Sequence, residues 1–190
     1  MSAAPAAPIL LASTSPRRRE ILEQLGVPFD VLAPAYDETE DDPVTHALGK
    51  ARSVLGAADG RPVLGCDTEV ICGGRVYGKP ATAQDAEEML ESLSGRTHEV
   101  VSGLALITHA WEEVHRDVTR VTFRPLNARD LARYVASLEW EGRAGAYAIQ
   151  GLGASLVERI EGDYLNVVGL PGALLVRLLA TRFPGTYGFG

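Results

Sequence analysis

Four apolar residues, Ile9–Ala12, run straight into Ser13-Thr14-Ser15-Pro16, and this junction constrains the chain more than any other stretch. The apolar run suits a short buried strand and the residues after it carry helix-start chemistry, so a strand turns directly into a helix. With Ser15 as N-cap and Pro16 at the first helical position, Ile21, Leu22 and Leu25 form the inward face and Gly26 supplies the stop. Phe29–Leu32 reads as a second strand. Val44, Ala47, Leu48, Ala51, Val54 and Leu55 then recur at helical spacing and predict a core-facing helix. Val63–Cys66 is a buried strand expected to end at Asp67, with a Glu69–Tyr77 hairpin turning at Gly73-Gly74. Thr82 caps a helix with Ala86, Met89, Leu90 and Leu93 on one face, closed by Gly95. Thr97–Thr108 and Trp111–Arg124, rich in β-branched residues, predict two long antiparallel strands either side of His109-Ala110. Asn127 caps a helix carrying Leu131, Val135 and Leu138; the glycine-rich 142–172 stretch includes a strand at Leu156–Ile160, and Ala173–Leu179 is a closing helix. Alternating strands and helices followed by long antiparallel strands indicate an α/β chain of mixed α+β type, with a central mixed sheet flanked by helices.

At 190 residues, with 46% hydrophobic and 23% charged residues, the chain has the make-up of an ordinary soluble globular protein. Residues 1–8, rich in Ala and Pro, read as a flexible N-terminal segment and residues 9–190 as a single domain. Eighteen Lys+Arg against 25 Asp+Glu leave a net charge of −7, which argues against broad attraction to nucleic acid or an anionic membrane. Any anionic ligand has to be held locally. Cys66 and Cys72 cannot build a disulfide framework, no Cys/His cluster has zinc-ligand spacing, and no apolar stretch approaches membrane-spanning length. The N-terminus lacks a basic region before its apolar run, so it does not read as a signal peptide, and a reducing, cytoplasmic setting is expected.

Ser13-Thr14-Ser15-Pro16-Arg17-Arg18-Arg19 puts three positive charges into the first turn of a helix, where they oppose the macrodipole and each other. Helix N–H groups flanked by Ser hydroxyls and guanidinium forks make a phosphate site; the plainer alternative is a solvated basic turn. Asp67, where the apolar run Gly65-Cys66 ends, is placed to hold a divalent cation or activate a water, with the Thr68 hydroxyl beside it for selectivity; a turn-capping pair is the alternative. Asp37 and Glu38 in an acidic loop could complete a magnesium shell or be merely solvated. Lys50 and Lys79 could contact phosphate or be surface lysines. Gln150 could read a base edge, and Asn166 lies in a similar apolar, glycine-bearing setting; a structural turn network explains both equally well. His46, His98, His109 and His115 form no spaced pair, which favours surface or structural roles. There is no P-loop, no Gly-x-Gly-x-x-Gly after the first strand, no His-Glu-x-x-His and no Gly-x-Ser-x-Gly elbow, so nicotinamide redox and P-loop chemistry lose ground.

In order, Leu11-Ala12-Ser13-Thr14-Ser15-Pro16-Arg17-Arg18, Asp37-Glu38, Lys50-Ala51, Gly65-Cys66-Asp67-Thr68, Gly78-Lys79-Pro80, Leu93-Ser94-Gly95-Arg96-Thr97-His98, Ala144-Gly145-Ala146-Tyr147-Ala148-Ile149-Gln150-Gly151 and Asn166-Val167-Val168-Gly169-Leu170-Pro171 resemble the Maf family of nucleotide pyrophosphatases, also called septum formation inhibitor-like proteins. The resemblance runs from about Ile9 to Leu179 and implies hydrolysis of a nucleoside triphosphate to monophosphate and pyrophosphate with a divalent cation, Mg²⁺ or Mn²⁺. It further implies a homodimer, and two lobes around a nucleotide cleft similar to inosine triphosphate pyrophosphatases. Carried onto matching positions, Asp67 is the proton acceptor, while Arg17, Thr68 and Gln150 set a preference resembling the dTTP/UTP branch.

Together the residues and the resemblance give a hydrolase with Asp67, Lys79 and Glu38 as catalytic groups. Ser13, Ser15, Arg17, Arg18, Lys50, Thr68 and Gln150 bind substrate, and Asp67 and Glu38 hold metal. The competing readings are a nucleotide-sensing regulator of cell division or septum formation without significant turnover, and a phosphatase or phosphotransferase releasing orthophosphate. Cys66, where relatives more usually carry alanine, and a short interval from Glu38 to Lys50 are this chain's departures from the pattern.

Overall fold

The computed structural model describes residues 7–37 and 42–190. The helices and strands follow the order β1 (Ile9–Leu11), α1 (Pro16–Gln24), β2 (Phe29–Val31), α2 (Pro43–Leu55), β3 (Val63–Cys72), β4 (Arg75–Tyr77), α3 (Ala83–Leu93), β5 (Thr97–Ile107), β6 (Glu112–Phe123), α4 (Ala128–Ala136), β7 (Val157–Glu161), α5 (Tyr164–Val168) and α6 (Gly172–Arg182). They form a mixed seven-stranded sheet of order β2-β1-β3-β5-β6-β7, with β4 paired to β3. β1 runs parallel to both β2 and β3, whereas β3–β4 and β6–β7 are antiparallel. Among the described residues no helix is long and apolar enough to cross a membrane.

The chain divides into two compact units, with boundaries that fall within β3, β5 and β6. The first comprises residues up to Asp67, Ser102–Asp117 and Gly169–Gly190. Its core is small-residue packing: Ala47, Ala51 and Val54 of α2 lie against Leu10, Ala12, Val63, Ala105 and Ile107. Two glycines make the approach possible. A Cβ on Gly65 would stand 2.1 Å from the Ala47 carbonyl oxygen, and one on Gly103 would stand 2.0 Å from the Pro43 carbonyl oxygen. The backbone of α2 therefore rests directly on the sheet. Asp42 fixes its start, accepting from the Thr45 amide at 2.9 Å.

The second unit comprises Thr68–Val101 and Val118–Val168. Its helices α3 and α4 begin with reciprocal capping boxes, Thr82 with Asp85 and Asn127 with Asp130. Asp130 also takes a two-pronged ion pair from Arg124, both contacts at 2.8 Å, which holds its carboxyl well below the usual carboxylate range.

Three expectations are corrected. β3 does not end at Asp67; it continues to Cys72, because the segment after Asp67 is the first arm of the hairpin and Val70, Ile71 and Cys72 pair with Tyr77, Val76 and Arg75. Leu138 is not on the inward face of α4: the helix stops at Ala136, Leu138 turns with φ 60°, and its side chain is 56% exposed. The glycine-rich stretch also holds α5 and two 3-10 turns that periodicity did not reveal.

Candidate active site

Because β1 and β3 are parallel neighbours in the register Leu10↔Val63 and Leu11↔Leu64, the turn that follows β1 runs beside the middle of β3. Ser13 in that turn is buried, and its Oγ accepts from the Ser15 amide at 3.2 Å and from Arg18 Nη1 at 3.1 Å. Arg18 Nε donates to the Gly169 carbonyl at 3.0 Å, and the buried Cys66 thiol donates to the same oxygen at 3.5 Å. Gly169 has φ 135°, a conformation that L side chains rarely adopt, so glycine is what lets this carbonyl serve both donors. Ser15 occupies the N-cap position of α1, yet its side chain caps no amide. The expected cluster of arginines is thus divided. Arg18 is a structural tie, Arg19 is exposed, and the half-buried Arg17 guanidinium makes no hydrogen bond to another described residue.

Asp67 faces α2. Lys50 Nζ donates to its Oδ1 at 2.6 Å, and His46 Nδ1 lies 3.4 Å from its Oδ2. His46 and Lys50 are one helical turn apart and so share a face of α2, and the close seat of that helix over Gly65 brings both onto the carboxylate. The Lys50–Asp67 pair is largely desolvated, with side chains 10% and 15% exposed. Burial makes such a pair specific in geometry even where it adds little net stability. His46 Nε2 is buried without a hydrogen-bond partner among the described residues, and Tyr36 packs edge-on against the ring at 6.0 Å.

In the second unit, Lys79 is exposed on the loop after β4, and the Gly78 carbonyl there accepts from the Gly145 amide at 3.1 Å. Gln150 is half-buried, and Thr68 is half-buried on β3. Asn166 is fully buried, and its Nδ2 donates to Val100 O at 3.1 Å and to Thr119 Oγ1 at 3.0 Å. That is the turn-network alternative. Asp37 is exposed; Glu38 lies outside the described residues.

A family model for Maf-like proteins matches residues 8–182. The chain belongs to the Maf-like protein family. Among its relatives, a protein named dTTP/UTP pyrophosphatase from Gloeobacter violaceus is 48% identical, over 90% of this chain and 94% of its own. Proteins of the same name from Halalkalibacterium halodurans and Deinococcus radiodurans are 44% and 43% identical, covering 93% and 100% of this chain and 99% and 100% of their own.

In this Maf-like chain, Asp67 and Glu69 leave the same face of β3 by strand alternation, and with His46 they form a group able to hold a metal ion. The chemistry of the donors fits a divalent cation: carboxylates suit Mg²⁺ and Mn²⁺, and an imidazole nitrogen is accepted more readily by Mn²⁺. His46 Nε2, buried with no hydrogen-bond partner among the described residues, is a ring nitrogen left open for such a use. Sequence reasoning missed both additions. His46 sits at position i and Lys50 at i+4 of one helix, which was a readable signal, whereas Glu69 became visible only once β3 was known to run through Asp67.

Proposed function

We propose that this chain hydrolyses nucleoside triphosphates, dTTP and UTP foremost, between the α- and β-phosphates to give monophosphate and pyrophosphate. One observation carries the reading: the uncapped N-terminus of α1, which follows β1 and carries an arginine with no hydrogen bond to another described residue, stands beside a strand whose mid-point bears a gripped carboxylate, within a chain whose relatives are named for this reaction. The first-turn amides of α1 and the Arg17 fork hold phosphate oxygens, while Arg18 and Ser13 fix the turn that presents them. Ser15, whose hydroxyl caps no amide, supplies a further hydrogen bond to phosphate. Asp67 accepts a proton from the attacking water, its carboxylate aimed by Lys50 and His46. A divalent cation would be held by Asp67 with His46 and Glu69, and by Glu38 on the acidic loop, and would supply charge neutralisation on phosphoryl oxygens. Lys79 offsets negative charge on the phosphates as the bond breaks, and Lys50 acts on the substrate through the Asp67 carboxylate it orients. Thr68 and Gln150 set the base preference through a hydroxyl and a paired donor and acceptor. We also propose a cytoplasmic homodimer that folds as a single domain.

The test is a panel of dTTP, UTP, CTP and modified pyrimidine triphosphates with Mg²⁺ or Mn²⁺, scoring pyrophosphate and orthophosphate separately. Pyrophosphate release, strongest for dTTP and UTP, with kcat lowered by about 10²-fold or more in Asp67→Asn, is the expected result. Tight binding with no turnover would move the reading to a nucleotide sensor, and orthophosphate alone to a phosphatase.

A further inference from the structure

From the geometry around Gln150 we infer that Glu139 is a specificity-determining positioning residue: its carboxylate pins the backbone just beyond Gln150 and so fixes how that amide is presented to the base. This rests on the assignment of base reading to Gln150. The two Glu139 oxygens are used separately, Oε1 accepting from the Leu152 amide at 3.0 Å and Oε2 from the Gly153 amide at 3.2 Å. On the other side of Gln150, the Ala148 amide donates to Tyr134 Oη at 2.9 Å. The arch 148–153 is therefore tied at both feet to α4 and the turn that follows it, while the Gln150 amide at its crown has no hydrogen-bond partner among the described residues. A carboxylate that takes two neighbouring amides restrains translation and rotation of the peptide together, which a single contact would not.

Two backbone features show that the arrangement is built rather than incidental. Leu138, immediately before Glu139, adopts φ 60° although its side chain is 56% exposed. The left-handed turn is what sends Glu139 back toward the arch. Gly151, at φ 63°, passes so near the carboxylate that a Cβ would stand 2.7 Å from Glu139 Oε1. Glycine next to the reading residue thus permits the contact. Tyr134 is held in turn by burial, which pushes its hydroxyl pKa up to about 12 and keeps it a neutral partner.

The experiment compares Glu139→Gln, which keeps one acceptor oxygen, Glu139→Ala, and Gln150→Leu by kcat/KM for dTTP and UTP against GTP and ATP, alongside amide exchange over residues 148–153. Displacing a positioning contact by a fraction of an ångström costs about tenfold or more at the group it positions. The expected result is that Glu139→Ala lowers the pyrimidine-to-purine ratio by about tenfold, Glu139→Gln by less, and that exchange over the arch accelerates in the same order. If Gln150→Leu loses the preference while both Glu139 variants keep it, the inference fails and the reading of Gln150 stands. If Gln150→Leu keeps the preference, both fail. An equal fall for all four substrates in the Glu139 variants would assign Glu139 to stability alone and overturn the inference.

Discussion

Replacing His98 by phenylalanine should invert the order of stability between this chain and its variant as the pH is lowered. His98 is 1% exposed, sits edge-on to Phe123 at 4.9 Å and to Tyr147 at 5.4 Å, and shares a 2.9 Å hydrogen bond between Nε2 and the Tyr147 hydroxyl. Desolvation pushes its pKa down from 6.5 to about 4, and its Nδ1 is buried with no described partner to receive a second N–H. The unfolded chain therefore binds more protons than the folded one between those two values, so stability falls as the pH drops through 6.5 and levels off below 4. Most of that loss, about 2 kcal/mol, falls between pH 7 and about pH 4.5. Carboxylates held low in the fold, such as Glu112 and Glu113, lose their contribution mainly below that window, so its slope belongs to His98. His98→Phe keeps an aromatic ring against Phe123 but strands the Tyr147 hydroxyl, costing about 1 kcal/mol at neutral pH. Urea unfolding at a series of pH values should show the variant less stable at pH 7 and more stable near pH 4.5, the curves crossing in between. Parallel curves with no crossing would refute the claim that a neutral, desolvated His98 carries this slope.

Gly65→Ala should lower stability by about 1–3 kcal/mol and cut turnover, because the new Cβ meets the Ala47 carbonyl at 2.1 Å and α2 must lift, taking His46 and Lys50 off Asp67. A thermal midpoint and turnover equal to those of the parent would show that the close seat of the helix is not needed. Lys50→Met should cost about 3 kcal/mol by leaving the Asp67 charge buried beside an apolar chain, and adding Asp67→Asn should recover much of it. A double-mutant cycle measures the coupling, and strict additivity would mean that the two groups do not act as a pair.

Much of the fold was legible because local chemistry and burial agree. Ser15-Pro16, Thr82 and Asn127 announce helix starts that the structure keeps, and Gly73-Gly74 announces the turn between β3 and β4. What failed to register was structure that depends on distant partners. Asp67-Thr68-Glu69 looked like a break between a buried strand and a separate hairpin, because nothing local says that Val63–Cys66 and the first arm of that hairpin are one continuous strand. α5 is five residues long, too short to show a period, and Asn166 within it is defined by Val100 and Thr119, far away in sequence.

The candidate site was legible as residue types and illegible as a division of labour. Three consecutive arginines read as one basic turn for phosphate, yet the sequence does not say which of them the fold itself engages. Arg18 is taken by Gly169 and Ser13, while Arg17 has no hydrogen bond to another described residue. The same argument applies to Lys50, a phosphate contact by composition but the partner of Asp67 in the fold. A lysine so placed can still matter for phosphate, through the carboxylate it orients. If Asp67 is the base we propose, removal of Lys50 should be felt in kcat as well as in KM, since a misaimed base loses transition-state stabilisation that binding alone does not supply, and removal of Arg18 should act through the turn that Ser13 fixes.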